Sequence, residues 1–247
     1  MSASSEKTKQ RLIDTTIRLV AEHGVKGVSV RTLTSEAGCK NLTAIHYHFG
    51  GKQQLVDAAL RQVVSRVALV AAPGIAKLEA RMMAEETLTM REVVTAWAMP
   101  VATLLAASPD GRQRARFIAR VFMDAPAEPT SGLVNTMAPL FEKMMTMLQY
   151  VVPGVPREVF AMRIFAFTNN VIYTMCDIET MEKSMVAFVS GVGPLDALHG
   201  FIEYHTAAFS APAEDIPESL SQSVEIYLRA WGKIEGAMAQ PVGEAAN

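Results

Sequence analysis

Residues 28–52 read VSVRTLTSEAGCKNLTAIHYHFGGK, and the reading of this stretch decides the fold. Ser29 is a good N-cap for a short helix from Val30 to Ala37, with Leu33 and Ala37 facing inward. Gly38 ends that helix, and Cys39-Lys40 form a turn. Asn41 can cap a third short helix that runs to about His48, where Phe49-Gly50-Gly51 breaks it. Two short helices joined by a tight Gly-containing turn are the layout of a helix-turn-helix. Upstream, Leu12, Ile13, Ile17, Val20 and Ala21 recur at helical spacing between Glu6 and His23, and Gly24 stops that helix. Residues 6–52 thus read as a three-helix head. Lys52 opens a connecting helix to about Ala71, ahead of Pro73-Gly74.

A helix that enters the major groove presents its N-terminal and outward side chains to base edges. Its inward face must meanwhile hold it to the other helices. Ala44 and Ile45 are the inward residues of the third helix, with Phe49 closing the small core. Asn41, Thr43, His46 and Tyr47 are left to face outward, as short or planar polar groups that donate to or accept from bases and phosphates. Arg31, Thr32, His48 and Lys52 flank them on the DNA backbone. Phosphate contacts position a protein, and base contacts specify sequence. Charge agrees with this division: residues 1–62 carry nine Lys/Arg against five Asp/Glu, while the whole chain stands at −2. A basic end on an acidic body suits a polyanion contact confined to one end.

The run Ala37-Gly38, followed by Ile45-His46-Tyr47-His48-Phe49-Gly50-Gly51-Lys52-Gln53-Gln54-Leu55, resembles the signature of the TetR (tetracycline repressor-like) family. The upstream stretches LIDTTIRLVAEHG (residues 12–24) and Val28-Ser29-Val30-Arg31-Thr32-Leu33 match it too, so the resemblance covers about residues 8–60. Ten residues separate Gly38 from Phe49, one more than in common members, and this leaves open which of Asn41, Leu42 and Thr43 faces the bases. The resemblance implies that the Tyr47 hydroxyl and Lys52 contact phosphates, with His48 near the backbone. It also implies that Lys7 and Lys9 reach phosphates from the first helix, and that Phe49 and Leu55 are structural.

Beyond Gly74 the whole chain reads as helix, with spans Ile75–Glu86, Met90–Ala107, Asp110–Asp124, Gly132–Val151, Arg157–Met181, Leu195–Phe209 and Glu218–Ala237. Pro73, Pro109, Pro126, Pro129, Pro153, Pro156, Pro194, Pro212 and Pro217 punctuate them, and Thr89 and Ser131 sit where N-caps belong. The expected fold is all-α, with the head and a larger helical ligand-binding and dimerisation domain over residues 75–237. In the resembled family two late helices of each subunit make a four-helix bundle across a two-fold axis, and Arg157–Met181 with Leu195–Phe209 are the expected pair. A ligand pocket is expected among the middle helices. Trp97, Leu104, Phe117, Val121, Phe141, Met145 and Phe165 are its apolar candidates, and Arg120, Asn169 and Tyr173 could orient a ligand. Few polar groups in an apolar site favour a small, largely hydrophobic effector.

The exclusions are as informative. Half the residues are hydrophobic and 15 are Met, enough for a sizeable core with adaptable filler. Cys39 and Cys176 form no C-x-x-C and no zinc spacing, so no metal or cofactor is expected, and two unclustered thiols suit a reducing cytoplasm. The N-terminus lacks the apolar core of a signal peptide, and the longest apolar run, Val67 to Ala72, is far too short to span a membrane. There is no nucleophile elbow, phosphate loop, dinucleotide fingerprint or His-Glu-x-x-His, so enzyme activity is not expected. The resulting expectation is a homodimeric transcriptional repressor that binds a palindromic operator in double-stranded DNA and is released by a small-molecule effector. The alternative is an architectural or interaction protein that binds DNA without a ligand.

Overall fold

The computed structural model describes residues 3–39, 41–107, 110–124, 132–176, 191, 193–214, 222–223 and 225–229. Among them every regular element is a helix: α1 (Ala3–His23), α2 (Val30–Glu36), α3 (Ala44–Phe49), α4 (Lys52–Met83), α5 (Met90–Ala107), α6 (Gly111–Asp124), α7 (Gly132–Val151), α8 (Arg157–Cys176) and α9 (Pro194–Ser210). Residues 1–211 form one compact unit and residues 212–247 a second. The extension of the α8 span to Met181 lies outside the described residues. So does most of the span Glu218–Ala237, of which 222–223 and 225–229 are helical.

Local chemistry explains most helix ends. The Ser29 hydroxyl accepts from the Thr32 N–H at 3.0 Å and caps α2. That helix closes with Gly38 N–H donating to the Ser35 carbonyl and Cys39 N–H to the Thr34 carbonyl. The pairing needs a left-handed residue at Gly38, whose φ is +66°. Thr89 and Glu92 form a reciprocal capping box at the start of α5: Thr89 N–H donates to the Glu92 carboxylate, and Glu92 N–H to the Thr89 hydroxyl.

Two expectations are corrected. α3 begins at Ala44, with Thr43 as its N-cap residue and no side-chain cap. The Asn41 side chain instead folds back on the turn, accepting from Thr43 N–H at 2.9 Å and from the Thr43 hydroxyl at 2.8 Å. The break expected at Pro73-Gly74 is also absent, because α4 continues through Pro73 to Met83, absorbing the separate span Ile75–Glu86. An interior proline costs about 3 kcal/mol. Just beyond it Ile75 and Leu78 are buried, at about 1.5–3 kcal/mol each, which outweighs that cost. α4 ends instead where Glu85 takes φ +54° and Glu86 N–H reaches the Arg81 carbonyl. The Arg81 guanidinium holds that turn through Glu86, Glu92 and the Thr87 carbonyl. The boundary expected between residues 71 and 75 therefore falls inside a continuous helix.

Among the described residues two large hydrophobic cores result, beside a small cluster of Ala115, Ala119 and Ile172. One gathers Leu12, Val20, Leu33, Ile45, Leu55, Leu60 and Val63 with Phe117 and Val121 of α6. The other gathers Ala71, Ile75 and Leu78 with Val93, Val94, Met144, Leu148, Phe160, Ile164 and Phe167. α4 contributes to both. α8 and α9 run antiparallel, for Arg163 donates to the Phe209 and Ala211 carbonyls while the Asn170 amide meets His205 Nε2 at 3.3 Å.

Candidate functional site

The head presents a polar surface around α3. Tyr47 is 83% exposed, and Lys7, Arg31, Thr32, Asn41, Thr43 and His46 are exposed as well. Ile45 is fully buried and Phe49 packs against the head core, so α3 is held from behind while its polar side faces solvent. His46 Nδ1 lies 3.2 Å from the Gly50 carbonyl, at the left-handed turn that ends α3. His48 is half-buried, with its ring edge-on to Tyr47 at 4.9 Å and to Phe49 at 6.4 Å. The Thr32 hydroxyl sits 2.8 Å from that of Ser29.

Lys52 is placed differently from these. Its ammonium donates to the Val25 carbonyl at 2.6 Å. Burial lowers its pKa below the ordinary lysine value, and the nearby Asp124 carboxylate partly offsets that. Asp124, the last residue of α6, accepts from Val25 N–H at 2.7 Å. The Val25 peptide is thus held on both sides, by the end of α6 and by the start of α4. No sequence pattern marks Asp124, which stands 99 residues from its partner.

A cavity of about 120 Å³ lies among five helices. Val64, Val67, Ala68 and Ala71 of α4 line it, with Trp97, Pro100, Val101 and Leu104 of α5 and Ala115 and Ile118 of α6. Met137, Leu140, Phe141 and Met144 of α7 and Phe167, Thr168, Val171 and Ile172 of α8 complete the wall. None of these side chains is charged.

Of the pocket residues expected from sequence, Trp97, Leu104 and Phe141 line this space. Phe117 and Val121 do not, because the i, i+4 face they share on α6 is buried in the head core. Met145 is buried in the larger core without reaching the cavity. Arg120 is exposed, and Phe165 is 63% exposed on α8. The Asn169 amide donates to the Phe165 carbonyl. The side chain of Tyr173 lies outside the described residues. Sequence reasoning favoured large side chains, whereas the void opens where the small Ala68, Ala71 and Ala115 face one another's helices. The run Val67 to Ala72 was the available signal, since it covers three of the α4 wall positions.

Among the described residues no group of three or more His, Cys, Asp or Glu could hold a metal ion, and no helix is long and apolar enough to cross a membrane.

Residues 12–59 match the family described as bacterial regulatory proteins, tetR family, and residues 95–208 match the tetracyclin repressor-like C-terminal domain. An HTH-type nicotine-responsive transcriptional repressor of Paenarthrobacter nicotinovorans is 36% identical over 67 residues, which are 27% of this chain and 34% of that protein. The matched segment thus spans about a third of that relative's length. Among solved structures, a putative TetR-family transcriptional regulator from Rhodococcus sp. superposes with TM-score 0.54 at 14% identity, over 83% of this chain and all of its own. The hemolysin II transcriptional regulator HlyIIR does so with TM-score 0.51 at 16% identity, over 81% of this chain and 97% of its own. With a head matched to one domain of the family and a helical body matched to the other, the chain belongs to the TetR family of bacterial regulatory proteins.

Proposed function

We propose that the protein is a cytoplasmic, sequence-specific transcriptional repressor that binds a palindromic operator as a homodimer and leaves it when a small hydrophobic effector fills the cavity. One observation carries this reading: α4 and α6 each belong to the head core and to the cavity wall. In α4, Leu55, Leu60 and Val63 are in the head core while Val64 to Ala71 wall the cavity. In α6, Phe117 and Val121 are in the head core while Ala115 and Ile118 wall the cavity. An occupant that moves either helix moves the head. Two heads must reach successive major grooves about 34–36 Å apart, so a change in their spacing shifts the population away from the DNA-competent state.

The dimer is supported by the outer faces of α8 and α9. Met162, Phe165, Leu195 and Tyr204 are large apolar or aromatic groups exposed there, and a second copy of the chain would cover them as an isologous patch. On the head, Tyr47, Arg31 and Lys7 suit phosphates, and Thr43, Asn41 and His46 suit base edges.

The reading is tested by footprinting the protein on DNA flanking its own gene and then adding apolar compounds. A short palindrome released by an effector supports it, whereas uniform coating that no compound disturbs refutes it. Tyr47→Phe should weaken binding to all sequences by about 1.5–3 kcal/mol, the loss of one hydrogen bond to a charged phosphate. Thr43 or His46 substitutions should instead change which sequences bind, at about 1–3 kcal/mol per misread base pair.

A further inference from the structure

The cavity wall is apolar almost throughout, and its two polar side chains are Trp97 and Thr168. Trp97 is the unusual one, because its Nε1 is buried and has no hydrogen-bond partner. A buried indole N–H normally finds an acceptor, since a donor without one keeps the penalty of desolvation. The cavity that Trp97 lines is otherwise walled by hydrocarbon, from residues such as Val64, Ala68, Leu104, Phe141 and Met144.

Size and charge narrow the occupant further. A dry apolar cavity of roughly 150 Å³ is known to accept benzene, so the slightly smaller space of about 120 Å³ limits the occupant to a single ring of about benzene's size or less. No lining residue could balance an ion, so an ionised ligand would be buried without a counter-charge.

We propose that the effector is a neutral, compact aromatic or alicyclic molecule with one hydrogen-bond acceptor, such as a ketone or ether oxygen, and that Trp97 Nε1–H donates to it. This inference rests on the reading of the cavity as the effector site. Trp97 becomes the residue that sets specificity. A hydrocarbon of the same shape fills the space but leaves the indole N–H as unpaired as before, and a ketone pairs it.

The probes are cyclopentanone, its isostere methylenecyclopentane, in which CH₂ replaces the carbonyl oxygen, and cyclobutanecarboxylate. Each is titrated calorimetrically into the full-length wild-type protein and into Trp97→Phe. The ratio of the two neutral affinities should favour the ketone about tenfold more in the wild type than in the variant, and cyclobutanecarboxylate should not bind. Comparing ratios removes the different hydration of the two ligands. In the wild type, the indole proton resonance of Trp97 should move downfield with cyclopentanone and stay put with methylenecyclopentane, a readout that needs no variant to fold. Equal ratios in both proteins together with an unmoved resonance would overturn the role of Trp97 while leaving an apolar effector cavity, since the hydrocarbon still binds. If neither neutral probe binds, both the inference and the effector-site reading fail. Tight cyclobutanecarboxylate binding would overturn the neutral-ligand assignment alone.

Discussion

Replacing Asp124 by alanine tests whether the body grips the head through the Val25 peptide. The carboxylate accepts from Val25 N–H at 2.7 Å and stands near the Lys52 ammonium, which itself donates to the Val25 carbonyl at 2.6 Å. A hydrogen bond to a charged acceptor contributes about 1.5–3 kcal/mol. The alanine variant leaves a half-buried N–H without its acceptor and removes the charge that keeps the lysine pKa from falling further. We expect a loss of about 2 kcal/mol. For a chain of this size that lowers the melting temperature by roughly 4–8 °C. Asp124→Asn keeps a neutral acceptor and should lose about half as much.

The same variant should also weaken communication between the two ends of the molecule. If the end of α6 is a strut between cavity wall and head, operator affinity without effector should change little in Asp124→Ala. The loss of affinity on adding effector should shrink by several-fold, out of a coupling of about 1–3 kcal/mol. Thermal melts by circular dichroism and gel shifts with and without effector measure the two quantities. A variant that melts within a degree of the wild type and responds fully to effector would show that the Val25 grip neither holds nor transmits.

Three further outcomes follow from particular side chains. Phe165→Glu should put a charge into the proposed dimer face and raise the dimer dissociation constant by about thirtyfold or more, read as a halved mass by light scattering at micromolar protein. His205 is 2% exposed between Phe167, Phe201 and Phe209, and burial holds its pKa down to about 4. Its unfolded value is about 6.5, so the unfolded chain takes up the proton first on acidification. The stability it contributes is complete above 6.5 and is lost as pH falls from 6.5 toward 4, by roughly 1.5 kcal/mol between 6.5 and 5. Urea melts should show that slope in the wild type and a flatter one in His205→Gln; identical slopes would clear His205 of the effect. Pro73→Ala restores a backbone donor inside α4 and should raise stability by about 1–3 kcal/mol while blunting the effector response, and a response left intact would argue against bending at that point.

Much of the helical layout was legible because it is written in neighbouring residues. The bounds Met90–Ala107 and Gly132–Val151 are those the sequence suggests, and Ser29 caps α2 as its position implies. The failures come where a distant partner decides. Pro73 looks like a stop until Ile75 and Leu78 are seen to be buried. Asn41 looks like a cap, but its carboxamide closes the preceding turn. Phe117 looks like a pocket residue because it is large and apolar, and only the packing of α6 against α1 and α4 places it in the other core. The exposed side of α3 was easier to read than the cavity, because exposure on a short helix follows from its periodicity. A cavity is a deficit of volume among five helices, and no one segment of sequence carries that.

The length of α4 makes the geometry consequential. Its 32 residues rise about 48 Å at 1.5 Å per residue, from the head at Lys52 to the turn held by Arg81. The cavity wall on this helix, Val64 to Ala71, lies about 18–29 Å from Lys52 by the same rise. Pro73, which lacks the N–H that an interior residue contributes, follows directly, and beyond it Ile75 and Leu78 fix the helix in the larger core. On the proposed reading, the segment ahead of the proline would serve as a lever hinged at the missing backbone hydrogen bond next to the cavity. Pushing its wall outward by about 1 Å some 20–30 Å from the head is enough, on rigid-rod geometry, to displace Lys52 by a comparable or larger distance. Each subunit of a two-fold dimer would contribute that displacement, so the head-to-head spacing changes by up to twice as much. Base contacts fail over displacements of that order, because a hydrogen bond stretched from about 2.9 to 3.6 Å is no longer one. On the proposed reading, a single ring in a small cavity would thus act on DNA without touching it.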